Sequence, residues 1–313
     1  MPLDDDVRAY LRKVSALTMP AVFKMPVPLM RRAEDALKVR LAKRPPVGSV
    51  EDTTLDGPCG RLPARVYRPE RLGDGAALCV YFHGGGFVMG SLASHDATAR
   101  RLCRELGAVV LSVGYRLAPE HRFPAAVDDA VHATRWALEH ASRLGADPSR
   151  VYVVGDSAGG NLAAVAALEL RGAEPPLAGA VLVYPVTDFR DHDHESRLRC
   201  ETGYGLTREA MQFFRAQYLS SPEEREDPRA SPLLAPDVSG MPPTFLVTCE
   251  FDPLCSEGEA FAARLRQAGV DVTAVRLAGA SHGVFSAVEP LAATERLWEA
   301  LRGWFGVRLR RAA

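Results

Sequence analysis

From residue 77 onward, short apolar runs alternate with stretches whose apolar positions recur every three or four residues. The runs ALCVYF (77–82), AVVLSVGY (108–115), RVYVVGD (150–156), AGAVLVYP (178–185), TFLVTCE (244–250) and VDVTAVRL (270–277) are rich in valine and nearly continuous, as strands buried on both faces require. Between them HDATARRLCREL (95–106), PAAVDDAVHATRWALEHASRL (124–144), NLAAVAALEL (161–170) and EGEAFAARLRQAG (257–269) read as helices, with Pro124 at one first turn and Gly269 closing another. Two earlier runs, Val50–Leu55 and Leu62–Tyr67, flank DGPCG and predict an antiparallel hairpin. About eight strands with interposed helices predict an α/β fold with a mostly parallel sheet.

Two segments interrupt this alternation. Residues 1–46 read as helical, with Val7, Tyr10, Leu11, Val14 and Leu17 on one face and a run of basic residues from Arg31 to Arg44. Residues 188–240, after the sixth predicted strand, are too long for a plain connection and align Met211, Phe214 and Tyr218 at helical spacing. Both are expected to form one helical cap (1–46 and 188–240) over a core made of 47–187 and 241–313.

Composition narrows the class. With 47% apolar and 25% charged residues and a net charge of −1, the chain has no general attraction for nucleic acid or anionic lipid. The basic end RLRRAA is expected to be solvated. The acidic start and the lack of any apolar run near ~18 residues predict neither a signal peptide nor a membrane span, so cytoplasmic residence is expected. Cys59, Cys79, Cys103, Cys200, Cys249 and Cys255 show no C-x-x-C spacing and read as reduced, mostly buried thiols.

The pattern G-x-S-x-G occurs twice, around Ser157 and around Ser281. A serine hydroxyl needs a base to take its proton and an acid to orient that base, and in one strand–turn–helix arrangement these follow in the order Ser, Asp or Glu, His. No Asp follows Ser281, whereas Ser157 sits between an apolar run and a helix with both partners downstream. Gly155 and Gly159 suit a sharp turn there, and the Ala158 amide would face a developing oxyanion. Asp156 is expected to support this turn. Asp252, just past the seventh predicted strand, is the expected acid, with Glu250 and Asp188 as competitors. His282 is the only histidine beyond Asp252 and so the expected base, which leaves Ser281 as a loop residue.

Other histidines have plainer readings. His95, His121, His132 and His140 are expected at the surface or at helix caps, and His192 with His194 lacks a third ligand for a metal. The loop YFHGGGFVMG (81–90) follows the third predicted strand, where a second set of oxyanion donors belongs, and His83 at its root is expected to brace it.

Taken together, HGGGF (83–87), YRLAPEHRFPAA (115–126), GDSAGGN (155–161), DPL (252–254) and HG (282–283) resemble the bacterial hormone-sensitive-lipase-like carboxylesterases of the α/β-hydrolase fold. The resemblance runs from about residue 50 to the end. It implies a Ser157, Asp252, His282 triad, oxyanion donors among Gly84, Gly85 and Gly86 together with Ala158, and no cofactor or metal. Gly85 and Gly86 are the favoured glycines. The implied partner is a small ester of short to medium acyl chain, acted on by a monomer or homodimer. Departures at Glu250, Ser256 and Val284 bear on substrate preference. The same triad would also serve an amide-, peptide- or acetyl-cleaving hydrolase, and the same fold a non-catalytic receptor.

Overall fold

The computed structural model describes residues 2–17, 25–57, 60–191 and 194–311, with side chains 14–17 and 311 outside the described set. Eight strands form one sheet: β1 (Ser49–Gly57), β2 (Gly60–Arg68), β3 (Leu78–Phe82), β4 (Val109–Val113), β5 (Val151–Asp156), β6 (Gly179–Val183), β7 (Thr244–Phe251) and β8 (Val272–Ser281), in the order β1-β2-β4-β3-β5-β6-β7-β8. The β1–β2 hairpin is antiparallel and joins β4 antiparallel, while every pair from β4 to β8 is parallel.

Every residue of β3, β4, β5 and β6 is buried, because helices cover both faces. Leu78, Val80, Phe82, Val151 and Val153 point to one core, shared with α4 (Ala125–His140), α5 (Ala158–Glu169) and α8 (Cys255–Gln267). Their alternates Cys79, Tyr81, Tyr152 and Val154 point to the other, shared with α3 (Asp96–Leu106) and α9 (Ala292–Arg311). The period-two alternation thus divides each strand between two cores.

The remaining helices are α1 (Asp5–Leu17), α2 (Val27–Leu41), α6 (Glu195–Arg199) and α7 (Arg208–Tyr218), the last two lying between β6 and β7. On the predicted face of α1, Val7 and Leu11 are buried and Tyr10 is half-buried; the side chains of Val14 and Leu17 lie outside the described residues. On α7, Tyr218 is buried and stacks on Phe87 with ring centroids 3.9 Å apart, whereas Met211 and Phe214 face a cavity. The basic end is less solvated than expected: Arg308 packs over the Trp304 ring and pairs with Asp271. Cys79, Cys103, Cys200, Cys249 and Cys255 are buried and unpaired, and Cys59 lies outside the described residues.

Candidate active site

Ser157 stands alone between the last residue of β5 and the first of α5, at φ 56° and ψ −117°. A serine does not adopt this backbone without strain, so surrounding contacts must impose it. The Ser157 amide donates to Val183 O at 2.9 Å, and its carbonyl accepts from Asn161 N at 3.0 Å and Val186 N at 3.3 Å. Close packing completes the turn: a Cβ at Gly155 would overlap the Gly159 carbonyl, and one at Gly159 the Phe82 carbonyl. The turn therefore nests into the C-terminal end of β3 and lifts the serine above the sheet edge.

Asp252 and His282 come together through strand register. β7 and β8 pair evenly up to Cys249–Leu277, and the next pair is Phe251–Ser281, so β8 carries a bulge of additional residues. Gly279 sits in that bulge at φ 70°, and its amide donates to the Glu250 carboxylate at 2.9 Å. Because Phe251 and Ser281 are partners, the residues that follow them leave the sheet side by side. His282 Nδ1 is 2.7 Å from Asp252 Oδ2, and His282 Nε2 is 2.9 Å from Ser157 Oγ. Asp252 is fully buried, and its other oxygen accepts from Leu254 N at 2.9 Å. A carboxylate only accepts, so Nδ1 carries the proton and Nε2 is left to accept from the serine hydroxyl. Such a chain makes a hydroxyl nucleophilic at neutral pH.

The sequence competitors are engaged elsewhere. Glu250 holds the bulge, and Asp188 pairs with Arg190 and His194, each at 3.0 Å. Against the upward push of burial, hydrogen bonds from His194 and Arg190 hold the Asp188 carboxyl well below the usual range. His192 lies outside the described residues, among which no three His, Cys, Asp or Glu side chains gather as a metal site. Ser281 is corrected from loop residue to the last residue of β8: its register with Phe251 buries it.

The glycine loop lies beside this chain. Asp156 is buried beneath it, accepting from Tyr81 OH at 2.8 Å and from Gly84 N at 3.2 Å. Burial raises the Asp156 carboxyl above its usual value, with Tyr81 pulling it down. The Gly84 amide is thus taken and is corrected out of the candidate oxyanion donors. The Gly85, Gly86 and Ala158 amides find no acceptor among the described residues. His83 lies at the root of the loop, its Nδ1 2.7 Å from Gly84 O and its ring stacked on both Tyr115 and His95. Burial pushes His83 down to about 4 and His95 well below its ordinary value, so both rings are neutral near pH 7.

His95 stands at the N-cap position of α3 but is buried rather than at the surface, makes no side-chain capping bond, and has Lys38 of α2 against its ring. His121 is exposed, His132 is half-buried, and His140 stacks on Trp136. A cavity of about 270 Å³ opens onto Ser157 and His282, walled by Gly85, Gly86, Phe189, Leu206, Met211 and Phe214. Glu34 and Lys38 of α2 also reach it, which the sequence reading did not foresee. Their only advance signal was the i, i+4 acid–base spacing inside an otherwise basic run. Against the pull of burial, the Glu34 carboxylate holds the Lys38 ammonium above its ordinary pKa.

Comparison with known proteins agrees with this geometry. A family profile described as alpha/beta hydrolase fold matches residues 79–286. The carboxylic ester hydrolase LipN of Mycobacterium tuberculosis is 45% identical over 81% of this chain and 70% of its own. The ethyl acetate hydrolase of Pseudomonas putida is 41% identical over 90% of this chain and 92% of its own. The solved structure of a hyperthermophilic esterase from the archaeon Pyrobaculum calidifontis superposes with a TM-score of 0.91 at 39% identity, covering 100% of both chains. None of the helices described is long and apolar enough to cross a membrane. The chain belongs to the hormone-sensitive-lipase-like α/β hydrolases, and it is a carboxylic ester hydrolase.

Proposed function

We propose that Ser157 is the nucleophile, His282 the general base and acid, and Asp252 the residue that orients the imidazole. The observation that carries this reading is the unbroken chain Ser157 Oγ, His282 Nε2, His282 Nδ1, Asp252 Oδ2, with separations of 2.9 and 2.7 Å. Ser157 Oγ attacks the ester carbonyl as its proton passes to His282 Nε2. The tetrahedral oxyanion is received by the Gly85, Gly86 and Ala158 amides, the last at the positive end of α5. Collapse breaks the bond to the alcohol, which takes the proton from His282. A water then gives a proton to His282 and attacks the acyl-enzyme, releasing the acid and restoring Ser157. These steps call for no cofactor.

Residues 1–46 and 188–240 act as a cap over the core, a reading supported by cavity walls drawn from α2 and α7. The substrate is an ester of short to medium acyl chain. Supporting this are a cavity just below the ligand-pocket range of roughly 300–1,000 Å³ and its lining by Leu206, Met211 and Phe214. A relative named for ethyl acetate points the same way. The enzyme works in the cytoplasm as a monomer or homodimer; the unpaired buried thiols support a reducing compartment.

The test is a series of p-nitrophenyl esters from acetate to palmitate, with Ser157→Ala as control. Turnover should peak among the short and middle members and vanish in the variant. A maximum at palmitate overturns the substrate class, and a fully active Ser157→Ala overturns the mechanism. Matched anilides should be cleaved far more slowly than the esters.

A further inference from the structure

α2 carries Arg31, Glu34, Asp35 and Lys38 at i, i+3, i+4 and i+7, which is one face of a helix. Each side chain on that face reaches the segment that continues the glycine loop. Arg31 Nε donates to Val88 O at 2.6 Å, and a second Arg31 nitrogen donates to Ala118 O at 2.7 Å. Glu34 accepts from Gly90 N at 3.2 Å, and Asp35 accepts from the Ser91 hydroxyl at 3.0 Å. Lys38 Nζ lies 2.9 Å from the Glu34 carboxylate and 3.2 Å from His95 Nε2. An ammonium only donates, so His95 Nε2 accepts and its Nδ1 proton faces Ser94 Oγ at 3.2 Å.

The connection runs back to the loop by two routes. His95 stacks on His83, which contacts the Gly84 carbonyl. The Val88 and Met89 amides both close on Gly85 O, at 3.1 and 2.8 Å, so moving residues 88–90 turns Gly85 and Gly86 with them. α2 contributes little to the apolar core: Met30 is its one fully buried residue, while Leu29, Val39 and Leu41 are exposed. The helix is therefore attached chiefly through its polar face, and that face ends on the loop.

We propose that the polar face of α2, above all Glu34 and Lys38, is a positioning element that fixes the direction of the Gly85 and Gly86 amides. This rests on the reading that those amides receive the oxyanion. None of the four side chains need touch the reacting atoms. A loop held slightly wrong binds the ground-state ester nearly as well but stabilises the tetrahedral state less, so the effect falls on kcat rather than KM.

The experiment compares Glu34→Ala, Glu34→Gln and Lys38→Met with the parent. It measures kcat and KM on p-nitrophenyl butyrate and the Ki of an alkyl trifluoromethyl ketone, whose adduct with a serine hydroxyl carries the same oxyanion. In Glu34→Ala and Lys38→Met, kcat should fall about 10- to 100-fold with KM within about threefold, and Ki should rise in step with the loss in kcat. Glu34→Gln keeps a carbonyl facing Gly90 N and should recover much of the loss. If Glu34→Ala does not fold, Lys38→Met gives the same readout with little change of side-chain size. Parent-like kinetics in the folded variants, or a fall in kcat with unchanged Ki, overturns the proposal. A fully active Ser157→Ala would instead overturn the reading beneath it.

Discussion

The two walls of the cavity are built on different principles. The sheet-side wall, made of Ser157, His282, Asp252 and the glycine loop, is set by backbone: a strained φ, carbonyls packed against glycines, and a bulged register. The helix-side wall, made of α2, α6 and α7, is held largely by side-chain charges: Arg31 with Glu120, Arg197 with Glu257, and Arg215 with Asp191. A backbone-set wall has few alternative arrangements, which suits bond making. A wall joined by ion pairs can change sequence and keep its place, which suits adaptation to different esters.

The sharpest test falls on the sheet side. Asp252→Asn leaves the packing intact but offers the wrong partner to His282 Nδ1, and kcat on p-nitrophenyl butyrate is expected to fall about 10⁴-fold with little change in melting temperature. An equal loss of stability would mean that this wall, too, depends on its charges.

Next comes a helix-side pair that is largely buried, Arg197 with Glu257. Glu257 is fully buried and accepts from Thr187 N, Asp188 N and Arg197, although burial raises its carboxyl above the usual range and Arg197 draws it down. Glu257→Ala removes the carboxylate that neutralises Arg197, whose guanidinium still donates to the Arg190 and Asp188 carbonyls, and takes the acceptor from two buried amides; it is expected to cost about 3–5 kcal/mol in urea denaturation. A cost below about 1 kcal/mol would show that this joint is ornamental.

A third effect separates the walls by pH. The folded pKa of His83 is about 4, against roughly 6.5 in an unfolded chain, so between these values the unfolded state binds the extra proton. Stability is therefore fully present above the unfolded pKa and is lost as pH falls toward 4. From pH 7 to pH 5 the loss from His83 alone should be about 2 kcal/mol. His83→Gln should flatten that slope, whatever its stability at pH 7; an unchanged slope would refute the assignment. The smallest effect belongs to Arg215→Ala. Its partner Asp191 is largely exposed, and the change should cost less than about 1 kcal/mol.

The same contrast explains what could be read in advance. Strands β3 to β6 were legible because burial on both faces leaves continuous apolar runs, and the order Ser157, Asp252, His282 was legible because the turn chemistry needs particular residues at particular places. On the helix-side wall the spacing of Met211, Phe214 and Tyr218 was legible, but the charged contacts were not. Beyond their i, i+4 spacing, Glu34 and Lys38 look like part of a basic surface run, since hydrogen bonds to Gly90 and His95, far along the chain, leave no periodic trace. The burial of His95 was hidden for the same reason: it does sit at the N-cap position of α3, but the Lys38 side chain that lies against it comes from a helix 57 residues earlier in the chain. The bulge was hidden as well, because Gly279 and Ser281 fit a familiar pattern that has no meaning there. The Gly84 amide could not be set apart from its neighbours until Asp156 was seen beneath it.

The offset between Cys249–Leu277 and Phe251–Ser281 makes β8 a ruler. Side chains alternate across a strand, so adding or deleting a single residue between Leu277 and Ser281 would reverse which face the chain presents on leaving the sheet. His282 would then exit away from Asp252, with Ser157, Asp252 and His282 all still present in the sequence. Along this stretch the enzyme tolerates changes of letter far better than changes of count, whereas loops beyond the site are free to grow or shrink.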